Sequence, residues 1–139
     1  MKVDGGCFCG AVTYEAEVDP TKVVICHCTD CQTNSGTAYG VVVVVVDDSF
    51  SLRTGSLKSF EKVADSGQRR ELAFCPECGT RIYARPAGGT PGVFGLRAGT
   101  VTQREALKPI AQLWRKSALP WTQDISSLPS FEGQPQVKP

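Results

Sequence analysis

An excess of charge of either sign is missing from this sequence: fifteen Lys and Arg face fourteen Asp and Glu, for a formal net charge of +1. That removes the electrostatic argument for nucleic acid or an anionic membrane surface as a partner. Long apolar runs are missing too. The longest, Val41 to Val46, is far too short to span a bilayer. The opening residues, Met1 to Gly6, lack the charged-then-apolar layout of an export signal, so the expected location is the cytoplasm. Neither internal repeats nor a domain-splitting linker occur. With 139 residues, 41% hydrophobic and 21% charged, the chain reads as a single domain over 1–139 that is large enough to bury a core. Residues 122–139 form a loop-rich tail of Pro, Ser, Gly and Gln.

What is present is cysteine. There are seven, Cys7, Cys9, Cys26, Cys28, Cys31, Cys75 and Cys78, a density below that of a small disulfide scaffold. They fall into three tight groups, Cys-x-Cys, Cys-x-Cys-x-x-Cys and Cys-x-x-Cys. Disulfide frameworks scatter their cysteines, whereas metal sites cluster them, because one turn can aim two thiolates at one ion. In a reducing compartment thiols persist and metal binding is favoured. An odd count suits one closed site of four thiolates and one open site of three.

The rest of the chain reads as short strands. Ala11 to Val18 alternates, with Val12, Tyr14, Ala16 and Val18 on one face, and Asp19-Pro20 is expected to end it. Tyr39 to Val46 is a β-branched central strand. Ser51 to Arg53, Leu57 to Val63, Arg70 to Phe74, Arg81 to Arg85, Val93 to Arg97 and Ala111 to Arg115 are further candidates. Thr29 to Ser35 predicts a helical turn or two stopped by Gly36, and Thr102 to Lys108 a short helix limited by Pro109. Strands without long crossover helices predict a mainly β, antiparallel fold.

Cys75-Pro76-Glu77-Cys78-Gly79 is the strongest local signal for zinc. Its spacing suits a tight turn with two sulfurs on one tetrahedral ion, and Gly79 permits the backbone that follows. The competing redox dithiol belongs at a helix start, and the flanks here read as strands. Two more ligands are needed. Cys7 and Cys9, at i and i+2 of an extended segment, point the same way. The loop from Cys9 to Cys75 is long, but closure cost grows slowly with length. Such a structural zinc supplies roughly 10 kcal/mol of folding free energy. Cys26, Cys28 and Cys31 then remain as three ligands with an open fourth position, the arrangement of a catalytic zinc that receives a thiol. The sequence also allows the first two groups to share an ion, or the triplet to be free thiols. His27, between Cys26 and Cys28, points away from their sulfurs on an extended segment and reads as a neighbour of the site rather than a ligand.

Taken together, Gly6-Cys7-Phe8-Cys9-Gly10, Cys26-His27-Cys28-Thr29-Asp30-Cys31-Gln32 with Ser35-Gly36, and Phe74-Cys75-Pro76-Glu77-Cys78-Gly79-Thr80 resemble the glutathione-dependent formaldehyde-activating enzyme family, which also includes centromere protein V. Ala98-Gly99-Thr100 and Pro120-Trp121 are similar to its C-terminal pattern. The resemblance implies a β-tent fold, antiparallel sheets organised around a structural zinc on Cys7, Cys9, Cys75 and Cys78. It implies a second, looser zinc on Cys26, Cys28 and Cys31. It also implies a carbon–sulfur lyase activity that forms or releases S-(hydroxymethyl)glutathione from glutathione and formaldehyde, with glutathione as the small-molecule thiol partner.

Other residues carry weaker expectations. Trp114 and Trp121 read as buried anchors for the C-terminal segment more than as pocket walls. Arg69-Arg70 and Arg115-Lys116 suit carboxylate recognition but read mainly as solvated surface. Ser35 and Thr37 suit hydrogen bonds to a thiolate, or turn formation. Three functions are compatible: a lyase-type enzyme on a thiol adduct, a thiol carrier without turnover, and a zinc-stabilised interaction module. An incomplete second site distinguishes the first two from the third.

Overall fold

A computed structural model describes residues 1–136, and the last three residues of the expected tail lie outside the described residues. Its strands are β1 (Lys2–Gly6), β2 (Thr13–Cys26), β3 (Gly40–Val45), β4 (Ser51–Thr54), β5 (Lys58–Val63), β6 (Arg69–Phe74), β7 (Arg81–Pro86), β8 (Gly95–Arg97) and β9 (Ala111–Leu113). The one α-helix among the described residues, α1, spans Thr29–Ser35. The strands run in the order β1-β2-β3-β8-β7-β6-β5, and β4 and β9 also pair with β2. The fold is mainly β and mainly antiparallel, as expected; only β9 runs parallel to its partner. No described helix is long and apolar enough to cross a membrane.

β2 organises the molecule. Tyr14, Ala16 and Val18 are buried on one face, as the alternation predicts. The strand does not stop at Asp19-Pro20. Asp19 pairs with Val44 and Val23 with Val43, so residues 20–22 bulge out of the ladder and the strand resumes. A bulge is where Pro20, with no N–H to give, can be tolerated within a paired strand. Asp19 Oδ1 accepts from the N–H and hydroxyl of Thr21 at 2.9 and 2.6 Å, fixing the bend. Before the bulge β2 pairs with β1 and β4; on either side of it β2 pairs with β3, and beyond it with β9. The strand thus bends from one layer into the next and delivers Cys26 at its end.

The core lies between these layers. Val43 and Val45 of the central β3 pack with Ile82, Leu96 and Val101. Phe50 sits amid an aromatic cluster, its ring 5.0 Å from Tyr14, 5.1 Å from Tyr83 and 5.7 Å from Phe94. The helix expected over Thr102 to Lys108 does not form; only a single 3-10 turn, Arg104–Ala106, appears. Tertiary anchoring overrides local propensity here. Gln103 Nε2 donates to Asp4 Oδ1 at 2.6 Å, Thr102 N–H donates to Asp4 O, and Leu107 is buried. β9 stops at Leu113, two residues earlier than expected, because Trp114 takes a left-handed φ of 59°. The described tail, 122–136, is irregular beyond the turn Pro120–Gln123.

Candidate metal centres

All seven cysteines are free thiols, and the structure gathers them into two groups, Cys7, Cys9, Cys75 and Cys78, and Cys26, Cys28 and Cys31. Within each group the sulfurs lie within 4.8 Å of one another. The pairing of the first and third sequence groups, rather than the first and second, is what the fold realises.

The four-cysteine group joins two turns. Cys7 follows β1, and Cys7 N–H donates to Val12 O at 3.0 Å while Gly10 N–H donates to Cys7 O. Cys75 follows β6; Gly79 N–H donates to Cys75 O at 2.9 Å, and Gly79 adopts the φ of 77° that favours glycine. Phe8 N–H donates to Thr80 Oγ1 at 3.0 Å, tying one turn to the other. The Cys7–Cys9 and Cys9–Cys75 sulfur distances are 3.6 and 3.9 Å. Sulfurs 2.3 Å from a tetrahedral ion stand about 3.8 Å apart, so this donor set fits zinc. Charge argues the same way. Hydrogen bonds from the Thr80 side chain and backbone draw the Cys78 thiol down to about 5. The Cys9 thiol is pushed up to about 12: its bond from the Ala11 backbone works the other way, but the sulfurs of Cys7, Cys78 and Cys75 outweigh it. At Cys7 burial works against ionisation, yet the Val12 backbone N–H and the thiols of Cys9 and Cys75 draw it down as well, so the close sulfurs ionise unevenly, a repulsion that a bound cation would relieve.

The three-cysteine group is built around the start of α1. Cys26 ends β2, Cys28 is the N-cap of α1, and its sulfur accepts the N–H of Cys31 at 3.2 Å. Gly36, with φ 68°, closes the helix as expected. Burial pushes the thiols of Cys26 and Cys31 up, and the neighbouring sulfurs add to this at Cys31. A divalent ion would offset both penalties by stabilising the thiolate form, and the soft donor set suits zinc here too.

Residues remote in sequence brace this group. His27 is fully buried, with its ring against Tyr39 at 5.3 Å and its Nε2 2.8 Å from Gln112 Oε1 on β9. Its N–H donates to Leu113 O at 2.9 Å. Gln32 Nε2 donates to His27 O and to Ser117 O, both at 2.9 Å. The ring of His27 therefore serves the neighbouring strand and not the sulfurs. Gln32 entered the sequence reading only as the last residue of the Cys26–Gln32 motif, with no role given to it, and Gln112 did not enter it by name. Nothing local named Gln112, which lies 85 residues from His27 in the chain.

The remaining candidates are sorted by the structure. Ser35 Oγ and Thr37 Oγ1 lie 2.9 Å apart, and Thr37 Oγ1 donates to Tyr39 O, so both hydroxyls serve the turn after α1. Trp114 and Trp121 are not buried anchors: both residues are more than half exposed. Trp114 instead carries Lys116 Nζ 4.9 Å from its ring centre. Arg69 pairs with Glu61, whereas Arg70 has no carboxylate partner among the described residues. A cavity of about 770 Å³ opens beside Asp48, Glu71, Arg85 and the loop Ala87 to Gly92, and no cysteine lines it.

Two comparisons with known proteins bear on this geometry. The chain is similar to a solved Rhodobacter sphaeroides protein, at 17% identity and a TM-score of 0.60, over 78% of this chain and 98% of that one. That likeness speaks for the fold. The sequence profile described as glutathione-dependent formaldehyde-activating enzyme matches residues 2–117, from the first residue of β1 to the serine whose carbonyl receives Gln32. Spanning both cysteine groups and their braces, the match establishes that the chain belongs to the glutathione-dependent formaldehyde-activating enzyme family.

Proposed function

We propose that this chain is a single-domain zinc enzyme of the carbon–sulfur lyase type. It forms and releases S-(hydroxymethyl)glutathione, or the adduct of a related thiol and aldehyde, in a reducing cytoplasm. Cys7, Cys9, Cys75 and Cys78 would hold a structural zinc, and Cys26, Cys28 and Cys31 a second zinc with a position left for substrate. The observation that carries this reading is the convergence of exactly those three sulfurs, without a fourth cysteine, in a chain of this family.

The reaction is an addition. The thiol sulfur bonds to the aldehyde carbon, the carbonyl π pair moves to oxygen, and the thiol proton ends on that oxygen; nothing is oxidised. Zinc bound at the triplet would supply acidity, favouring the thiolate form of a substrate thiol near neutral pH. The protein's part is orientation. The Cys31 N–H holds Cys28 Sγ, and the links from His27 to Gln112 and from Gln32 to Ser117 fix the ends of the Cys26–Cys31 segment. Since the uncatalysed addition is already facile, holding the partners together is the main contribution available.

The test is exchange between free aldehyde and thiol adduct, measured at equilibrium by magnetization transfer. Wild type should accelerate it, and Cys28→Ser should not, with its fold intact by circular dichroism. Equal exchange with wild type, variant and no protein overturns the enzyme reading. Thiol binding confined to wild type, without acceleration, would then assign a carrier.

A further inference from the structure

Arginines on this sheet meet carboxylates: Arg53 pairs with Glu15, Arg69 with Glu61, and Arg85 with Glu71 and Asp48. Arg97 does not. Among the described residues it is in no ion pair, and its Nε is buried without a hydrogen-bond partner. A buried donor left unmade costs stability, and a charged one more so. The fold thus keeps a half-buried positive charge with no carboxylate to balance it.

The packing shows where that charge is directed. Arg97 ends β8 opposite Val42 of β3, and Gly40, the first residue of β3, is buried. A methyl group placed on Gly40 would stand 3.1 Å from Arg97 Nη1, 3.6 Å from Cys31 Cβ and 3.8 Å from Cys31 Sγ. Gly40 has no positive φ, so its backbone does not call for glycine. The close approach does: without a side chain at Gly40, the guanidinium and Cys31 pack tightly across one backbone position.

The strand registers define the face involved. Lys62 stands opposite Arg70, Leu72 opposite Ala84, and Ala84 opposite Gly95, so Lys62, Arg70 and Arg97 share one face of the sheet. It is the face on which α1 lies: Lys62 Nζ donates to Asp30 Oδ1 at 2.7 Å, and Arg81 Nε donates to Asn34 O at 3.1 Å. Asp30 is the only acidic residue of α1, and Lys62 holds it. What this part of the chain brings to Arg97 is therefore cysteine. Three thiolates on a divalent ion carry a net charge of about −1, and an anionic fourth ligand makes it about −2. A fixed cation beside such a centre lowers the cost of both steps.

We propose that Arg97 is the counter-charge of the Cys26, Cys28 and Cys31 centre, and that it makes this centre select an anionic fourth ligand, such as a substrate thiolate, over a neutral one. The inference rests on the reading of that group as a metal centre with an open position. Arg97 is a positioning and specificity residue that acts through Cys31; the sulfur chemistry belongs to the cysteines.

The experiment uses the full chain loaded with cobalt, whose visible absorption reports the ligands at the triplet. Thiocyanate is the anionic probe and pyridine, at neutral pH, the uncharged one. Arg97→Met keeps an unbranched side chain without the charge, Arg97→Gln is a second uncharged variant, and Arg97→Lys keeps the charge. Both uncharged variants should bind thiocyanate about tenfold more weakly than wild type, the scale of a unit charge acting through a partly buried site. Pyridine affinity should not change, and Arg97→Lys should restore part of the thiocyanate affinity. The ratio of the two affinities within one protein cancels general damage to the site, and circular dichroism checks the fold. An unchanged ratio overturns the counter-charge and leaves the metal-centre reading standing. Failure of both uncharged variants to fold assigns Arg97 to the packing of β8 and also overturns the proposal. If neither probe alters the wild-type spectrum, the open position is absent and both readings fall.

Discussion

Tyr14 shows how one side chain joins distant parts of this chain. It is buried on β2, its ring packs on Phe50, and its hydroxyl lies 2.8 Å from Thr100 Oγ1. Burial raises its pKa from the ordinary 10 to about 12. The folded protein therefore keeps a proton that the unfolded chain loses above pH 10. Stability from this residue is complete below about pH 10 and declines as pH rises toward 12, by about 2 to 3 kcal/mol in all. Tyr14→Phe should flatten that decline, and the difference between wild-type and variant denaturation midpoints across pH 9–12 measures it. An identical decline in both proteins would assign it to other groups. The apolar role of Tyr14 was legible in the sequence, because alternation reports a buried face. Its hydroxyl partner was not, since a hydrogen bond across 86 residues leaves no local pattern. The cysteines are the opposite case. Ligands of one ion must come from tight turns, so their spacing is written locally, and both groups were readable.

Among the elements, α1 carries two duties at its N-cap. Cys28 caps the helix through its sulfur, and it is also one of the three clustered thiols. The two duties separate by chemistry. Aspartate is a better cap than cysteine but a harder, oxygen donor. Cys28→Asp should match or exceed the metal-free wild type in stability, within about 1 kcal/mol, yet bind one zinc equivalent less tightly. Denaturation of the apoproteins and metal titration together check this; a large loss of apoprotein stability would mean that the cap requires sulfur. α1 was predictable because Gly36 marks its end. The break expected at Asp19-Pro20 and the helix expected after Val101 were misread for one reason. Punctuating residues report the local chain, and here tertiary pairing decided: β3 holds β2 on both sides of the bulge, and Asp4 holds Thr102 and Gln103.

At the scale of the whole molecule the two cysteine groups differ in what they close. Cys7 and Cys9 with Cys75 and Cys78 clamp the first strand to the turn after β6, whereas Cys26, Cys28 and Cys31 span a few residues. On the proposed reading, metal at the first group would therefore be coupled to folding, and metal at the second largely would not. Mild chelation should remove one zinc equivalent with far-ultraviolet circular dichroism unchanged, and harsher chelation the other with unfolding. Cys75→Ser should lower the melting temperature strongly, while Cys26→Ser should leave it near wild type. Joint loss of both metals in one unfolding step would refute the division. The order β1-β2-β3-β8-β7-β6-β5 was beyond the sequence, because strand neighbours far apart in the chain are chosen by the packed whole. That order has a consequence for synthesis. Every part of the four-cysteine clamp has been made once Thr80 is added, but the braces on the triplet come from Gln112 and Ser117. At about 5–20 residues per second, translation separates the two by seconds. The growing chain can thus secure its scaffold while the thiols at α1 are still unbraced, so the three-cysteine group sets later in synthesis than the four-cysteine clamp.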